Sequence, residues 1–176
     1  FGRRNSGKSS LVNALTGQKT ALVSDVAGTT TDPVYKAMEI HGIGPALFID
    51  TAGFDDEGEL GKMRVEKTLA ALKKCDMALL LLSGEEDALE AQWVERIRKS
   101  GCSLIALVNK ADRKDELSEK LGFIQRKYGL SALAVSAREG TGLNQLREAM
   151  IRAIPEECGQ RSITGELCGP GDVVLL

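Results

Sequence analysis

The eight residues Gly2-Arg3-Arg4-Asn5-Ser6-Gly7-Lys8-Ser9 constrain this chain more than any other part of it. They match G-x-x-x-x-G-K-[ST], a pattern whose glycines let the backbone wrap close to a phosphate chain and aim its N–H groups inward. A helix opening at Lys8 adds the positive end of its dipole. In that arrangement Lys8 reaches the β- and γ-phosphates and Ser9 binds Mg²⁺, while Gly2, Asn5, Ser6, Gly7 and Ser10 complete the cradle. Alone, the octapeptide could also be a chance glycine-rich turn before a helix, so its weight depends on the motifs downstream. A phosphate loop of this kind leads out of a strand, yet only Phe1 precedes it. The first strand is therefore expected to be truncated, leaving its neighbours unpaired and a core face open.

The rest of the chain alternates strands and helices. Ser9 to Leu15 reads as a helix ended by Gly17, and Ser24 to Pro33 as a loop that Pro33 keeps from becoming helical. Val34 to Ile40 and Ala46 to Ile49 read as strands joined by a turn from His41 to Pro45. An acidic loop, Gly53 to Gly61, leads to a helix over Met63 to Lys74. Then come strand Met77 to Leu82, helix Ala88 to Lys99, strand Ser103 to Val108, helix Glu116 to Tyr128, strand Ala132 to Val135 and helix Leu143 to Ile154. Continuous apolar strands such as Met77-Ala78-Leu79-Leu80-Leu81-Leu82 suit a sheet covered on both faces. The predicted fold is a doubly wound α/β domain, mostly parallel with one antiparallel edge strand and helices on both faces.

A length of 176 residues and a mass of 18.9 kDa suffice for one such domain, residues 1–155. Residues 156–176, polar and glycine-containing before an apolar end, read as a linker and the opening of a following domain. A net charge of -2 suggests no polyanion-binding surface, so no nucleic-acid partner is expected. Cys75, Cys102, Cys158 and Cys168 show neither metal-site spacing nor a disulfide framework, and no apolar stretch is long enough to span a membrane. A cytoplasmic protein is expected.

Three further motifs sit at predicted strand ends, where doubly wound folds bind ligands. Asp50-Thr51-Ala52-Gly53 places a carboxylate to hold the Mg²⁺ shell and the Gly53 N–H to sense a γ-phosphate. Asn109-Lys110-Ala111-Asp112 offers the Asp112 carboxylate to the N1–H and N2 amine of guanine, donors that adenine cannot present, which selects GTP over ATP. Ser136-Ala137-Arg138 can close the base pocket with a backbone N–H to the guanine O6. Each alone could be a solvated loop; in this order, at strand ends, they specify a GTP site. GTP and GDP are the expected ligands and Mg²⁺ the expected cofactor.

These residues resemble the five G motifs of translation-factor-class GTPases. The opening Gly-Arg-Arg-Asn-Ser-Gly-Lys-Ser-Ser-Leu-Val-Asn-Ala-Leu resembles the tRNA-modification and ribosome-assembly branch that includes TrmE, Era and EngA. Within it, Val26 to Val34 carries Thr31 where Arg is usual. With Asp55-Asp56-Glu57-Gly58-Glu59-Leu60-Gly61 and Arg64-Val65-Glu66-Lys67-Thr68, this looks most like the HydF type, which matures [FeFe]-hydrogenase. The segments Ile163 to Leu167 and Gly171 to Val174 are similar to the start of that family's next domain, which dimerises. The resemblance implies partners: C-terminal domains of the same protein, a hydrogenase apoprotein or maturase, and a second copy in a full-length homodimer. The alternatives are a G domain serving tRNA modification or ribosome assembly, and a nucleotide-gated interaction module whose turnover is incidental.

The resemblance also assigns roles. Thr30 is implied as the switch threonine that binds Mg²⁺ and closes over the γ-phosphate, so Lys8, Asn5, Thr30 and Gly53 form the implied catalytic set. In the TrmE branch an asparagine at the place of Asn5, with carbonyls of the loop matching Ser24 to Gly28, coordinates K⁺. Asn5 could equally be an asparagine that tolerates a turn conformation. Phe54 stands where a water-orienting glutamine is usual, which leaves Glu57 or Glu59 for that task unless they are simply charged surface. His41 reads as a turn residue and Trp93 as packing. The cysteines read as ordinary thiols.

Overall fold

The computed structural model describes residues 1–3, 5–17, 34–40, 42–50, 59–73, 75–112, 116–154 and 173–175. Among these residues eleven elements run in chain order: α1 (Lys8–Thr16), β1 (Val34–Ile40), β2 (Gly44–Asp50), α2 (Glu59–Leu72), β3 (Met77–Leu81), α3 (Ala88–Ser100), β4 (Ser103–Val108), α4 (Leu117–Tyr128), β5 (Leu133–Ala134), α5 (Leu143–Ala153) and β6 (Val173–Leu175).

Period-two alternation in β3 organises the core. Ala78, Leu80 and Leu82 pack on one face with Trp93, Val94 and Ile97 of α3 and Ile124 and Tyr128 of α4. Met77, Leu79 and Leu81 pack on the other with Leu11, Val12 and Leu15 of α1 and Leu143, Leu146 and Met150 of α5. Both faces are thus buried, which is why β3 reads as an unbroken apolar run. The helices bury residues at helical spacing, as in Glu90, Trp93, Val94 and Ile97 of α3. Asp87 starts α3 by accepting from Leu89 N at 2.8 Å and Glu90 N at 3.1 Å, and Gly101 stops it in the left-handed conformation. Trp93 is core, with Phe1 stacked on it at 5.2 Å and the Arg96 guanidinium 5.2 Å over its ring.

The sheet runs β1-β2-β6-β3-β4-β5, with β1 antiparallel to β2 and every other pairing parallel. This is the doubly wound architecture with an antiparallel edge. The hairpin is tighter than the expected turn, since pairing continues to Ile40 opposite Gly44. Val173–Leu175 lies between β2 and β3, in register with Leu47–Ile49 on one side and Met77–Ala78 on the other. An unpaired position inside a sheet exposes two rows of N–H and C=O groups, and the backbone of this segment pairs with part of each. Of residues 156–176 only these three are described.

Candidate nucleotide site

Sheet direction brings the loops after β3, β4 and β5 to the end where the loop ahead of α1 lies. Phe1 anchors that loop. Its N–H donates to Leu79 O at 2.6 Å and its carbonyl accepts from Leu81 N at 2.9 Å, which sets Phe1 opposite Leu80 in a parallel pairing. The loop then turns through Ser6 N to Arg3 O at 3.2 Å and enters α1 at Gly7, which is left-handed at φ 94. The first bond of α1 runs from Leu11 N to Gly7 O at 2.9 Å, so the N–H groups of Lys8, Ser9 and Ser10 lie ahead of any intrahelical partner. Lys8 Nζ folds back over the loop and donates to Gly2 O at 2.8 Å and Arg3 O at 2.7 Å. Its charge is therefore held at the mouth of the cradle.

Asn109, at the end of β4, ties the two binding loops together. Its Nδ2 donates to Ser6 O at 3.0 Å and its Oδ1 accepts from Ala137 N at 3.2 Å. This close approach requires glycine at position 7, because a Cβ there would stand 2.2 Å from Asn109 Nδ2. Lys110 adds a second tie, Nζ to Asn5 O at 3.3 Å. Among the described residues, Asn5 (φ 62) and Lys110 (φ 64) are the only non-glycine residues at positive φ. Both lie in this site, where surrounding bonds hold a conformation that costs about 1 kcal/mol or more.

The base end is equally tied. Ser136, fully buried, donates its Oγ–H to Asp112 Oδ1 at 2.8 Å and accepts at the same atom from Glu139 N at 3.3 Å. Ala111 N donates to Val135 O, and Ser136 N to Thr141 O. The result is a cavity of about 220 Å³ lined by Gly7, Ser10, Asn109, Lys110, Asp112, Ser136, Ala137 and Arg138. Asp112 offers a carboxylate oriented by Ser136, and Lys110 offers an aliphatic wall. These residues fit a planar base that presents two adjacent donors. The structure thus brings together Gly2, Asn5, Ser6, Gly7, Lys8, Ser10, Asn109, Lys110, Asp112, Ser136, Ala137 and Arg138.

For Mg²⁺, Ser9 is an exposed residue on the first turn of α1 and Asp50 closes β2 beside Val34. A hydroxyl and a carboxylate are the hard oxygen donors that this ion takes. Asp50 is described through its backbone. Thr30, Thr31, Gly53, Phe54, Glu57, the loop from Ser24 to Gly28, His41, Cys158 and Cys168 lie outside the described residues. Cys75 and Cys102 are free and half-buried. Burial, with the nearby negative charge of Asp76, pushes the Cys102 thiol up to about 12, and burial pushes Cys75 up further. Both are inert thiols at neutral pH.

Two features escaped the sequence reading. Arg3 pairs with Asp87 at 2.9 Å, so the cap of α3 also holds the P-loop. Glu90, almost fully buried beneath them, accepts from Ser83 N at 2.8 Å and Ser83 Oγ at 3.1 Å. Burial raises its pKa above the usual carboxylate range, and the two Ser83 bonds pull it partly back. A polar residue just before a helical run signals Asp87 as a cap; nothing local signals its partner Arg3.

Known proteins share this arrangement. Over 156 residues the chain is 38% identical to the tRNA modification GTPase MnmE of Azoarcus sp. (strain BH72), covering 86% of this chain and 33% of that protein. Over 159 residues it is 38% identical to GTPase Der of Solidesulfovibrio magneticus, covering 88% and 35%. The chain thus spans about a third of the length of the curated relatives it matches. Among solved structures, Era in complex with MgGDPNP and a segment of 16S ribosomal RNA superposes with a TM-score of 0.72 at 25% identity, covering 96% of this chain and 57% of that one. Era of Aquifex aeolicus bound to GDP.AlF4- superposes at 0.70 with 27% identity, covering 98% and 58%. The family model described as 50S ribosome-binding GTPase matches residues 1–110, from the P-loop through Asn109-Lys110. Sequence, fold and site agree, and the chain belongs to that family of P-loop GTPases, as a G domain of the MnmE, Era and Der type.

Proposed function

We propose that this G domain is a Mg²⁺-dependent GTP switch serving a tRNA-modification or ribosome-associated GTPase. The observation that carries the GTP reading is the Asp112 carboxylate, oriented by Ser136 Oγ within a cavity tied to the P-loop through Asn109. GTP orders the loops around Thr30 and Gly53, and hydrolysis releases them. Within the site, the N–H groups ahead of α1 and the Lys8 ammonium take up charge developing on the phosphates, and Mg²⁺ held by Ser9, Thr30 and Asp50 would supply further positive charge. Identity to tRNA modification and Der GTPases supports the RNA-related reading. On this reading RNA recognition belongs to parts of the protein outside this chain, whose own net charge is -2. A cytoplasmic location is proposed with it.

The test is phosphate release from GTP against ATP, with and without Mg²⁺. Lys8→Ala should abolish it, and equal turnover of both nucleotides would overturn the reading. If binding alters partner affinity while turnover is negligible, the domain is a nucleotide-gated interaction module, an outcome that Phe54 in place of glutamine favours.

A second reading rests on Thr31, the acidic segment Asp55 to Gly61 and the tail from Ile163 to Val174, which resemble the HydF type. It gives the domain a role in [FeFe]-hydrogenase maturation, residues 156–176 as the approach to a dimerising domain, and a homodimer as the full-length state. Restoration of hydrogenase activity in a strain lacking its maturation GTPase separates the two readings. We further propose that Asn5, with carbonyls of Ser24 to Gly28, would hold K⁺, which would supply positive charge to the phosphates during hydrolysis. Its left-handed backbone sits at the rim of the cradle, tied to Lys110.

A further inference from the structure

Arg3 touches both the phosphate lysine and helix α3. Its carbonyl accepts from Lys8 Nζ at 2.7 Å and from Ser6 N at 3.2 Å, and together with Gly2 O, 2.8 Å from the same ammonium, it sets where the Lys8 charge stands. Its guanidinium Nη1 lies 2.9 Å from Asp87 Oδ2. The two oxygens of Asp87 have separate tasks: Oδ1 caps α3 by accepting from Leu89 N and Glu90 N, and Oδ2 holds Arg3. Asp87 is itself well fixed. Its side chain is 10% exposed, and Glu90, on the first turn of α3, accepts from Ser83 N and Ser83 Oγ, which fastens the start of that helix to the chain leaving β3. The Arg3 side chain is 49% exposed, so solvent screens the pair and its worth lies in geometry rather than in stability.

We infer that Arg3 is a positioning residue for GTP hydrolysis: anchored on Asp87, it holds the P-loop carbonyl against which the Lys8 ammonium is set. This role rests on the hydrolysis reading above and adds to it a residue that G-x-x-x-x-G-K-[ST] leaves open, since position 3 is unspecified in that pattern. Lys8 counts most when negative charge builds on the phosphates. An ammonium displaced by a fraction of an ångström loses part of that stabilisation, while ground-state binding through the N–H groups ahead of α1 persists. Loss of the anchor therefore falls on kcat and spares KM. Arg3 acts through Lys8 and touches no phosphate itself.

Steady-state phosphate release from GTP in the presence of Mg²⁺ tests this on the whole chain. Asp87→Asn keeps the cap, because the Asn carbonyl oxygen can accept from Leu89 N and Glu90 N, and removes the charge that holds Arg3. Asp87→Asn and Arg3→Gln should each lower kcat about threefold to fivefold, the size a partly exposed pair allows, with KM for GTP within about twofold and the melting temperature unchanged. The double variant should be no slower than either single one. Glu95→Gln, which breaks the exposed pair with Lys99 on the same helix, should leave kcat as it is. Additive losses in the double variant, losses that appear in KM, or an equal loss in Glu95→Gln would overturn the proposal. So would a loss in Arg3→Gln that Asp87→Asn does not share, because the guanidinium would then be acting on the nucleotide itself. An active parent with unchanged variants removes this role alone, whereas a parent that releases no phosphate from GTP removes the hydrolysis reading and this role with it.

Discussion

The two halves of the sheet are built to different standards. From β3 to β5, β3 pairs with β4 over Met77–Leu81 and β4 with β5 over Leu107 and Val108, and the loops beyond them are cross-tied by side chains: Asn109 to Ser6 and Ala137, Ser136 to Asp112, Lys110 to Asn5. From β2 to β3 the seam is closed by two short segments, Val173–Leu175 and Phe1, that meet on one line without chain continuity between them. On the proposed reading base recognition rests on the cross-tied half, while the P-loop sits where the two halves join. Rigidity is concentrated where specificity needs it.

If that contrast is right, the hardest blow falls on the tied half. Gly142, at φ 78 ahead of α5, would place a Cβ 2.2 Å from Ala134 O and 3.1 Å from Val135 Cα, and backbone cannot give way as a side chain tip can. Gly142→Ala should cost about 4 kcal/mol in urea unfolding, from strained φ and overpacking together. A loss below about 1 kcal/mol would show the base half to be as pliant as the seam. Asp112→Asn should weaken GTP binding by about 2 to 4 kcal/mol while xanthine nucleotide binds better, read by calorimetry with both nucleotides. Equal weakening of both would remove Asp112 from the base contact. Asn109→Ala, which cuts the tie between the two loops, should cost about 2 kcal/mol in nucleotide affinity with little change in melting temperature.

Smaller effects sharpen the comparison at the P-loop. Exchanging K⁺ for Na⁺ at constant ionic strength should slow turnover about tenfold, equivalent to about 1.4 kcal/mol, and Asn5→Ala should erase that preference while GTP affinity is kept. Identical rates in the two salts would leave Asn5 as a turn residue. The smallest effect is a slope. Glu90 holds its proton more tightly folded than unfolded, so stability should fall as pH rises from its ordinary value of 4.5 through the raised folded value. Glu90→Gln, which can still accept from Ser83 N, should flatten that slope in urea midpoints measured across the range. A variant as pH-dependent as the parent would assign the slope to another group.

Much of the site was legible in the residues because phosphate and guanine chemistry admit few solutions. Glycines, Lys8 and Ser9 must be close in sequence to wrap one phosphate chain, and Asp112 must follow a strand to stand at the sheet's rim. Helix and strand positions were legible because burial leaves a period, as in α3 and β3, and errors fell at element ends such as Gly44, where pairing extends into the turn. The Arg3–Asp87 bridge was not legible, because it joins residues far apart whose types recur all along the chain.

What the residues carried without a fold was the spacing of the candidate site's motifs and the order of the elements, since both depend on short-range sequence. The occupant between β2 and β3 could not be read that way. Val173–Leu175 carries the same apolar pattern whether it pairs here or begins another unit, and pattern specifies that a strand must be buried, not which neighbours bury it. That choice was made by hydrogen-bonding groups of β2 and β3, which lie far from the tail along the chain and come together only once the sheet exists.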